Sequence, residues 1–234
     1  GTQRGGMAVL NDESFTRYIH DIRNSQFRSK FEDDVEKLNG NYGIGVISDY
    51  EDQPILIRSH LGTYAIVTVG VVQNTEALAK VAFGKRTAHF SEILNNEVNP
   101  TELAATLINN EDTFEEGLES AQRQIEGSCS ILLLTADGIY AARDRLGRTP
   151  IILGKKKGAN AAAFETCSFP NLGYSVDRYL GPGEIVLITE EGIEQKKAPG
   201  KEMQICAFLW VYYGYPASSY EGISVEDVRY RCGA

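Results

Sequence analysis

The sequence predicts an α+β fold: two stacked, mostly antiparallel sheets packed against helical layers. Three observations carry this expectation. Short β-branched segments broken by glycine fill the first third of the chain. Two well-capped helical segments occupy the middle, and strands punctuated by turn dipeptides return after Gly127.

Strand-like segments come first, at Met7–Leu10, Tyr42–Ile47, Ile55–Arg58 and Tyr64–Val72. Between the first two, Phe27, Phe31, Val35 and Leu38 recur at helical spacing, and Asn39-Gly40 supplies a stop. A helix is expected after Asn99, with that residue as cap, Pro100 in the first helical position and Glu102 three beyond the cap. A second is expected after Thr113, which pairs with Glu116 as a capping box. Phe114, Leu118, Ala121 and Ile125 would line one face, and Gly127 would end it. Asp137-Gly138 and Glu191-Gly192 read as hairpin turns, and Lys155-Lys156-Lys157 as a solvated hairpin tip. A last helix is expected from Ser224. No repeat, low-complexity linker or clear boundary interrupts the chain, which reads as one domain with a tail leading elsewhere.

Composition narrows the function. Among 234 residues, 23 Lys and Arg against 32 Asp and Glu give a net charge of −9. Phosphate binding relies on clustered cations, so neither nucleic acid nor an anionic membrane is expected as a partner. The four cysteines, Cys129, Cys167, Cys206 and Cys232, lack the close spacing of zinc ribbons or small disulfide frameworks. Reduced thiols in a cytoplasmic protein are expected, with no membrane span. The chain opens at Gly1 without an initiator methionine and closes in mid-pattern at Ala234, so it is expected to be part of something longer.

Candidate sites are few. His20, His60 and His89 are scattered and favour solvated or structural roles. No metal spacing and no nucleophile elbow is present, and Cys129 and Cys167 read as buried, inert thiols. The charged knot Arg143–Arg148 admits two readings, a catalytic pair or a buttress. Neighbouring strand residues point to opposite faces, which favours the buttress. Asp144 would then accept backbone amides or pair with an arginine, and Gly147 would supply the unusual turn.

At these residues the chain resembles the class II glutamine amidotransferases. GIYAARDRLGRTPIILGK is similar to their ARDPxGxRPLxLG run, and YLGPGEIVLITEEG, with Pro182, Gly183 and Glu184, to their PGEIV run. CAFLWVYYGYPASSYEGISVEDVRYRCG resembles the passage where amidophosphoribosyltransferases hand over from glutaminase to phosphoribosyltransferase domain. QRGGMAV and LNGNYGIGVISDY resemble HRGQxxAGI and LxGNxGIGHVRYS.

The resemblance implies a four-layer αββα sandwich of N-terminal-nucleophile hydrolase type, with residues 1–205 a glutaminase-like domain lacking its first strand and 206–234 the start of the connection to a phosphoribosyltransferase domain. It also implies a leading Cys that attacks glutamine, in the purine biosynthesis family. Its catalytic pattern is degenerate at three matched positions. The substrate-binding arginine of HVRYS falls on Ser48, the oxyanion Asn-Gly on Val69-Gly70, and the aspartate of SDTE on Pro100.

The expectation is therefore a glutaminase-like domain inactive in glutamine hydrolysis and retained as a structural or regulatory scaffold. The catalytic set would be empty, and Arg143, Asp144, Gly147, Pro182, Gly183 and Glu184 would be structural. Two alternatives stay open. In one, the vacated pocket near Arg4, Ser48, Gly70, Gln73, Asn74 and Asn99 binds an amino acid or nucleotide. In the other, the domain is an active amidotransferase whose nucleophile precedes this chain, recruiting Arg4, Arg58 or Asp49. No cofactor is expected in the chain. Mg²⁺ and an iron–sulfur cluster, to which Cys206 is a candidate contributor, would belong to the phosphoribosyltransferase domain, the expected partner within a homo-oligomer.

Overall fold

The computed structural model describes residues 3–12, 14–49, 51–84, 90, 93–94 and 97–234; His89 lies outside them. The first half contains β1 (Arg4–Asn11), β2 (Ser14–Asp21), α1 (Phe27–Val35), β3 (Tyr42–Ser48), β4 (Ile55–Ser59), β5 (Gly62–Val72) and α2 (Thr75–Gly84). Short β6 (Ile93–Leu94) and β7 (Glu97–Val98) precede α3 (Pro100–Ile108) and α4 (Phe114–Gln124). Then come β8 (Gly127–Thr135), β9 (Gly138–Ala142), β10 (Ile152–Lys156), β11 (Ala159–Ala163), β12 (Ser175–Tyr179), β13 (Ile185–Ile188) and β14 (Ile193–Lys197). The hairpin β15 (Ser219–Tyr220) and β16 (Ile223–Ser224) leads into α5 (Val225–Gly233).

An antiparallel six-stranded sheet, ordered β14-β13-β9-β8-β5-β4, forms the centre. Side chains alternate between its faces with the strand period of two. Tyr64, Ile66, Ile131 and Leu133 point one way and pack against Ala104, Ile108, Leu118 and Ala121 of α3 and α4. Ala65, Val67, Leu132 and Leu134 point the other way, onto Ala8, Leu10, Ile44, Ile151 and Leu153. Those residues belong to two three-stranded sheets, β2-β1-β3 and β11-β10-β12, or to the approach to β10. Each fully buried Leu or Ile contributes about 1.5–3 kcal/mol relative to exposure, which makes these two cores the main stabilising term.

Helix α1 covers the outer face of β1. A Cβ added at Gly5 would lie 2.7 Å from a ring carbon of Phe27, so only glycine admits the helix at this distance. Phe27 and Phe31 stack with centroids 4.4 Å apart. His20 meets Phe31 edge-on and bonds Asp34 Oδ2 at 2.5 Å, a structural role. The layers therefore run helix, sheet, sheet, helix: the four-layer αββα sandwich.

Two capped helices lie where their sequence signals put them. Asn99 Oδ1 accepts from the amides of Thr101 and Glu102 at 2.8 and 3.2 Å, and Thr113 Oγ1 accepts from Glu116 N–H at 3.2 Å. Other details differ. Periodicity places Val35 on the packed face of α1, but it is exposed, because the helix buries Phe31 and Asp34 instead. Cys167, read as buried, is only half-buried in a 3₁₀ turn, so the single fully enclosed thiol of that pair is Cys129. β2 and α2 lack a clean apolar period and emerge through tertiary pairing: β2 matches β1 over eight residue pairs.

Residues 206–234 carry a small core of their own, in which Trp210 meets Tyr220 edge-on with Val225 beside them. Arg229 ties it by donating to the carbonyls of Trp210 and Gly214, both at 2.8 Å. Glu165 Oε2 accepts from Ser218 Oγ at 2.9 Å, and Tyr179 donates to the Ser219 carbonyl at 3.1 Å, fastening this unit to the sandwich. Among the described residues no helix is long and apolar enough to cross a membrane.

Candidate functional site

Ser48 ends β3 directly opposite Arg4 of β1. Its hydroxyl donates to the Glu51 carbonyl, which turns the chain inward. The Glu51 carboxylate then accepts from Gln53 Nε2 at 2.8 Å and from Thr101 Oγ1 at 2.6 Å. Thr101 has one hydroxyl proton, so the 2.6 Å contact between Thr68 Oγ1 and Thr101 Oγ1 requires Thr68 as donor. Gln53 Oε1 closes the ring by accepting Thr68 N–H at 2.8 Å. Four side chains from three parts of the chain thus satisfy one another. The Glu51 carboxylate lies against the first turn of α3, where the helix dipole favours negative charge.

The three substituted positions border this ring. Ser48 anchors its loop, Val69 follows Thr68, and Pro100 precedes Thr101 as the first residue of α3. Val69 presents an isopropyl group with no hydrogen-bond donor. Gly70 keeps a backbone only glycine accepts: φ is +143°, and an added Cβ would stand 2.1 Å from the Ser128 carbonyl oxygen. Arg4 is engaged within the protein, with Asp52 at 3.2 Å and Asp21 at 3.7 Å.

The remaining candidates lie elsewhere. Asn74 clamps the start of α2 to the end of α4, donating to Gln124 O at 2.9 Å and accepting Glu126 N–H at 3.0 Å. Gln73 extends the β5–β8 pairing through Glu126 and lines a separate cavity. Arg58 is exposed on the edge strand β4, and Asp49 follows Ser48 at the end of β3. Arg4, Ser48 and Asn99 therefore gather around or beside the ring, while Gln73, Asn74 and Arg58 do not join it.

The charged corner is built from backbone contacts. Asp144 accepts amides from Leu146 at 3.2 Å, Arg148 at 3.0 Å and Thr149 at 2.7 Å, and Gly147 turns with φ +68°. Its own carbonyl accepts Gly183 N–H at 2.9 Å, which joins the two glycine turns. Arg143 makes a different set of contacts. Its guanidinium is fully buried, donates to the carbonyls of Leu180 and Gly147, and forms an ion pair with Glu221 Oε1. Glu184, just after Pro182-Gly183, accepts from both terminal nitrogens of Arg178, from Gly181 N–H and from Gln195. Burial alone would raise its carboxyl, but the Arg178, Gly181 and Gln195 hydrogen bonds overcome this and hold it below the usual carboxylate range.

Cys129 sits under the ring, opposite Gly70. Burial, then the charges of Asp144 and Glu51, push its thiol up to about 12, so it is neutral and a poor nucleophile at pH 7. Cys206 is exposed, and among the described residues no group of three His, Cys, Asp or Glu is placed to hold a metal ion. Glu51, Gln53 and Thr68 carried no signal in the sequence. Only the folded loop reveals them.

Two sheets stacked face to face between helical layers define an N-terminal-nucleophile sandwich. The glutamine amidotransferase domain family matches residues 43–168, more than half of the sequence, and the chain belongs to it. Within that family it is a class II domain of amidophosphoribosyltransferase kind. Pseudomonas aeruginosa amidophosphoribosyltransferase is 29% identical over all of this chain and 50% of its own length. The Escherichia coli enzyme of that name is 27% identical over 85% of this chain and 44% of its own. The solved structure of Bacillus subtilis glutamine PRPP amidotransferase with ADP and GMP superposes with a TM-score of 0.86 at 24% identity, over the whole chain and 51% of that protein. The chain thus spans about half the length of the relatives it matches.

Proposed function

We propose that this chain is a glutaminase-like domain that does not hydrolyse glutamine and serves as a structural or regulatory scaffold in an amidophosphoribosyltransferase homologue. The observation that carries this reading is the closed ring of Glu51, Gln53, Thr68 and Thr101. Amide hydrolysis needs donors aimed at a developing oxyanion, and loss of one such donor typically lowers rate 10²–10³-fold. Here the nearest polar groups bond one another, an isopropyl group replaces a donor, and the Ser48 hydroxyl serves its own loop. In this reading the side chains of Ser48, Val69 and Pro100 lack the charged or amide groups with which the family pattern grips the substrate's carboxylate, oxyanion and amino group.

In this reading a phosphoribosyltransferase domain of the same protein is the partner, within a cytoplasmic homo-oligomer of the purine biosynthesis family, and the chain itself carries no cofactor. Exposed Phe208, Tyr212, Tyr213 and Tyr230 on residues 206–234 support a further protein surface against that unit. The test is to incubate the full-length protein with glutamine and quantify glutamate. No release above background is expected. Release that disappears when the first residue of the mature protein is substituted would overturn the reading.

A further inference from the structure

Beside the ring, but separate from it, a cavity of about 170 Å³ opens at the end of the central sheet where β8 begins. This is well beyond the room of a single water and enough for a small metabolite. Cys129, Ile125 and Leu146 contribute apolar surface; Gln73, Arg145 and Arg148 contribute polar groups.

Some of the polar groups at this cavity are occupied and others are free. Asp144 also lines the cavity, but both of its oxygens are taken by backbone amides. One terminal nitrogen of Arg148 reaches Gln204 at 2.8 Å, while the other makes only a 3.5 Å approach to Gly127 O. Gln122 donates to Arg143 O and accepts from Lys197. Arg145 has no hydrogen bond or ion pair among the described residues. The Gln73 side-chain amide and the exposed Glu126 carboxylate are equally free there. Arg145 is exposed and, among the described residues, unpaired, so its guanidinium is available to an anion at the cavity.

The loop that carries the arginines is also positioned in advance. Three amides bound to Asp144, the left-handed Gly147 and the Asp144–Gly183 contact fix the loop that bears Arg145 and Arg148. Such preorganisation lowers the entropy lost on binding. The neutral Cys129 thiol on the floor adds no repulsion.

We propose that this cavity binds a free amino acid, with Arg145 and Arg148 holding its carboxylate and Glu126 its ammonium group. Opposite free charges at one mouth match a zwitterion, and the Gln73 amide and the apolar wall face its side chain. This site goes beyond the scaffold reading and does not depend on whether glutamine is hydrolysed next door.

Isothermal titration of the full-length protein with L-glutamate, L-aspartate, L-alanine and inorganic phosphate tests it. Saturable binding of at least one amino acid is expected, weakened at least tenfold in R145Q and again in E126Q. Arg145 is exposed and unpaired, so R145Q should melt with the parent protein and its loss of binding would report the site. No heat from any amino acid, binding of phosphate alone, or amino-acid binding unchanged in R145Q would each overturn the proposal. Glutamate release, by contrast, bears only on the scaffold reading, so the two failures are distinguishable.

Discussion

Arg143 Nη2 lies 2.7 Å from Glu221 Oε1, joining the charged corner of the sandwich to the hairpin of residues 206–234. The same guanidinium holds the carbonyls of Leu180 and Gly147. Buried cations persist only when paired and hydrogen-bonded, so this contact makes the corner a clamp on the C-terminal unit. Glu221 itself adopts φ +49°, a conformation that glycine accepts more easily.

Removal of the clamp should be asymmetric. R143A leaves Glu221 and two carbonyls unpaired and is expected to destabilise by about 3–5 kcal/mol. E221G leaves Arg143 its two carbonyls and relieves the backbone, so its loss should be clearly smaller. Urea unfolding of both variants checks this; equal losses would contradict it.

Thr101 holds the polar ring together. T101V keeps the shape but leaves the Glu51 carboxylate and the Thr68 hydroxyl short of a partner, with an expected loss of about 1–3 kcal/mol. The measurement is the denaturant midpoint at constant m-value, and a neutral T101V would mean the ring is not closed in solution.

Acid should find Glu184. Its folded carboxyl lies below the ordinary value, so its stabilisation is complete above the unfolded pKa and is lost as pH falls through the lower folded pKa. E184Q should therefore be less stable than the parent protein at pH 7, with the gap narrowing below the usual carboxylate range. Arg178 is partly exposed and screened, which keeps the difference at about 1–2 kcal/mol. Melting temperatures of both proteins across pH 2–7 give the comparison.

Thiol labelling should divide the cysteines. Cys206 and Cys232 are exposed and should react with a disulfide reagent at pH 7.4 without denaturant. Cys129 should stay protected until unfolding, since it is buried and its thiol is pushed up to about 12. Prompt labelling at Cys129 would contradict the packing beneath Gly70.

By itself, the sequence determined the family, the sandwich class and the helix starts at Asn99 and Thr113. These depend on local patterns: alternation for strands, cap residues for helices and motif runs such as Ala141–Thr149. The tertiary structure decided what fills the degenerate site. Glu51 and Thr101 are fifty positions apart, and neither carries a local sign of the other. It also decided that Arg143 reaches Glu221 and that Arg145 has no partner among the described residues. Hydrogen bonding and charge pairing between distant segments follow from the packing of sheets, and no periodicity along the chain encodes which side chain each will meet.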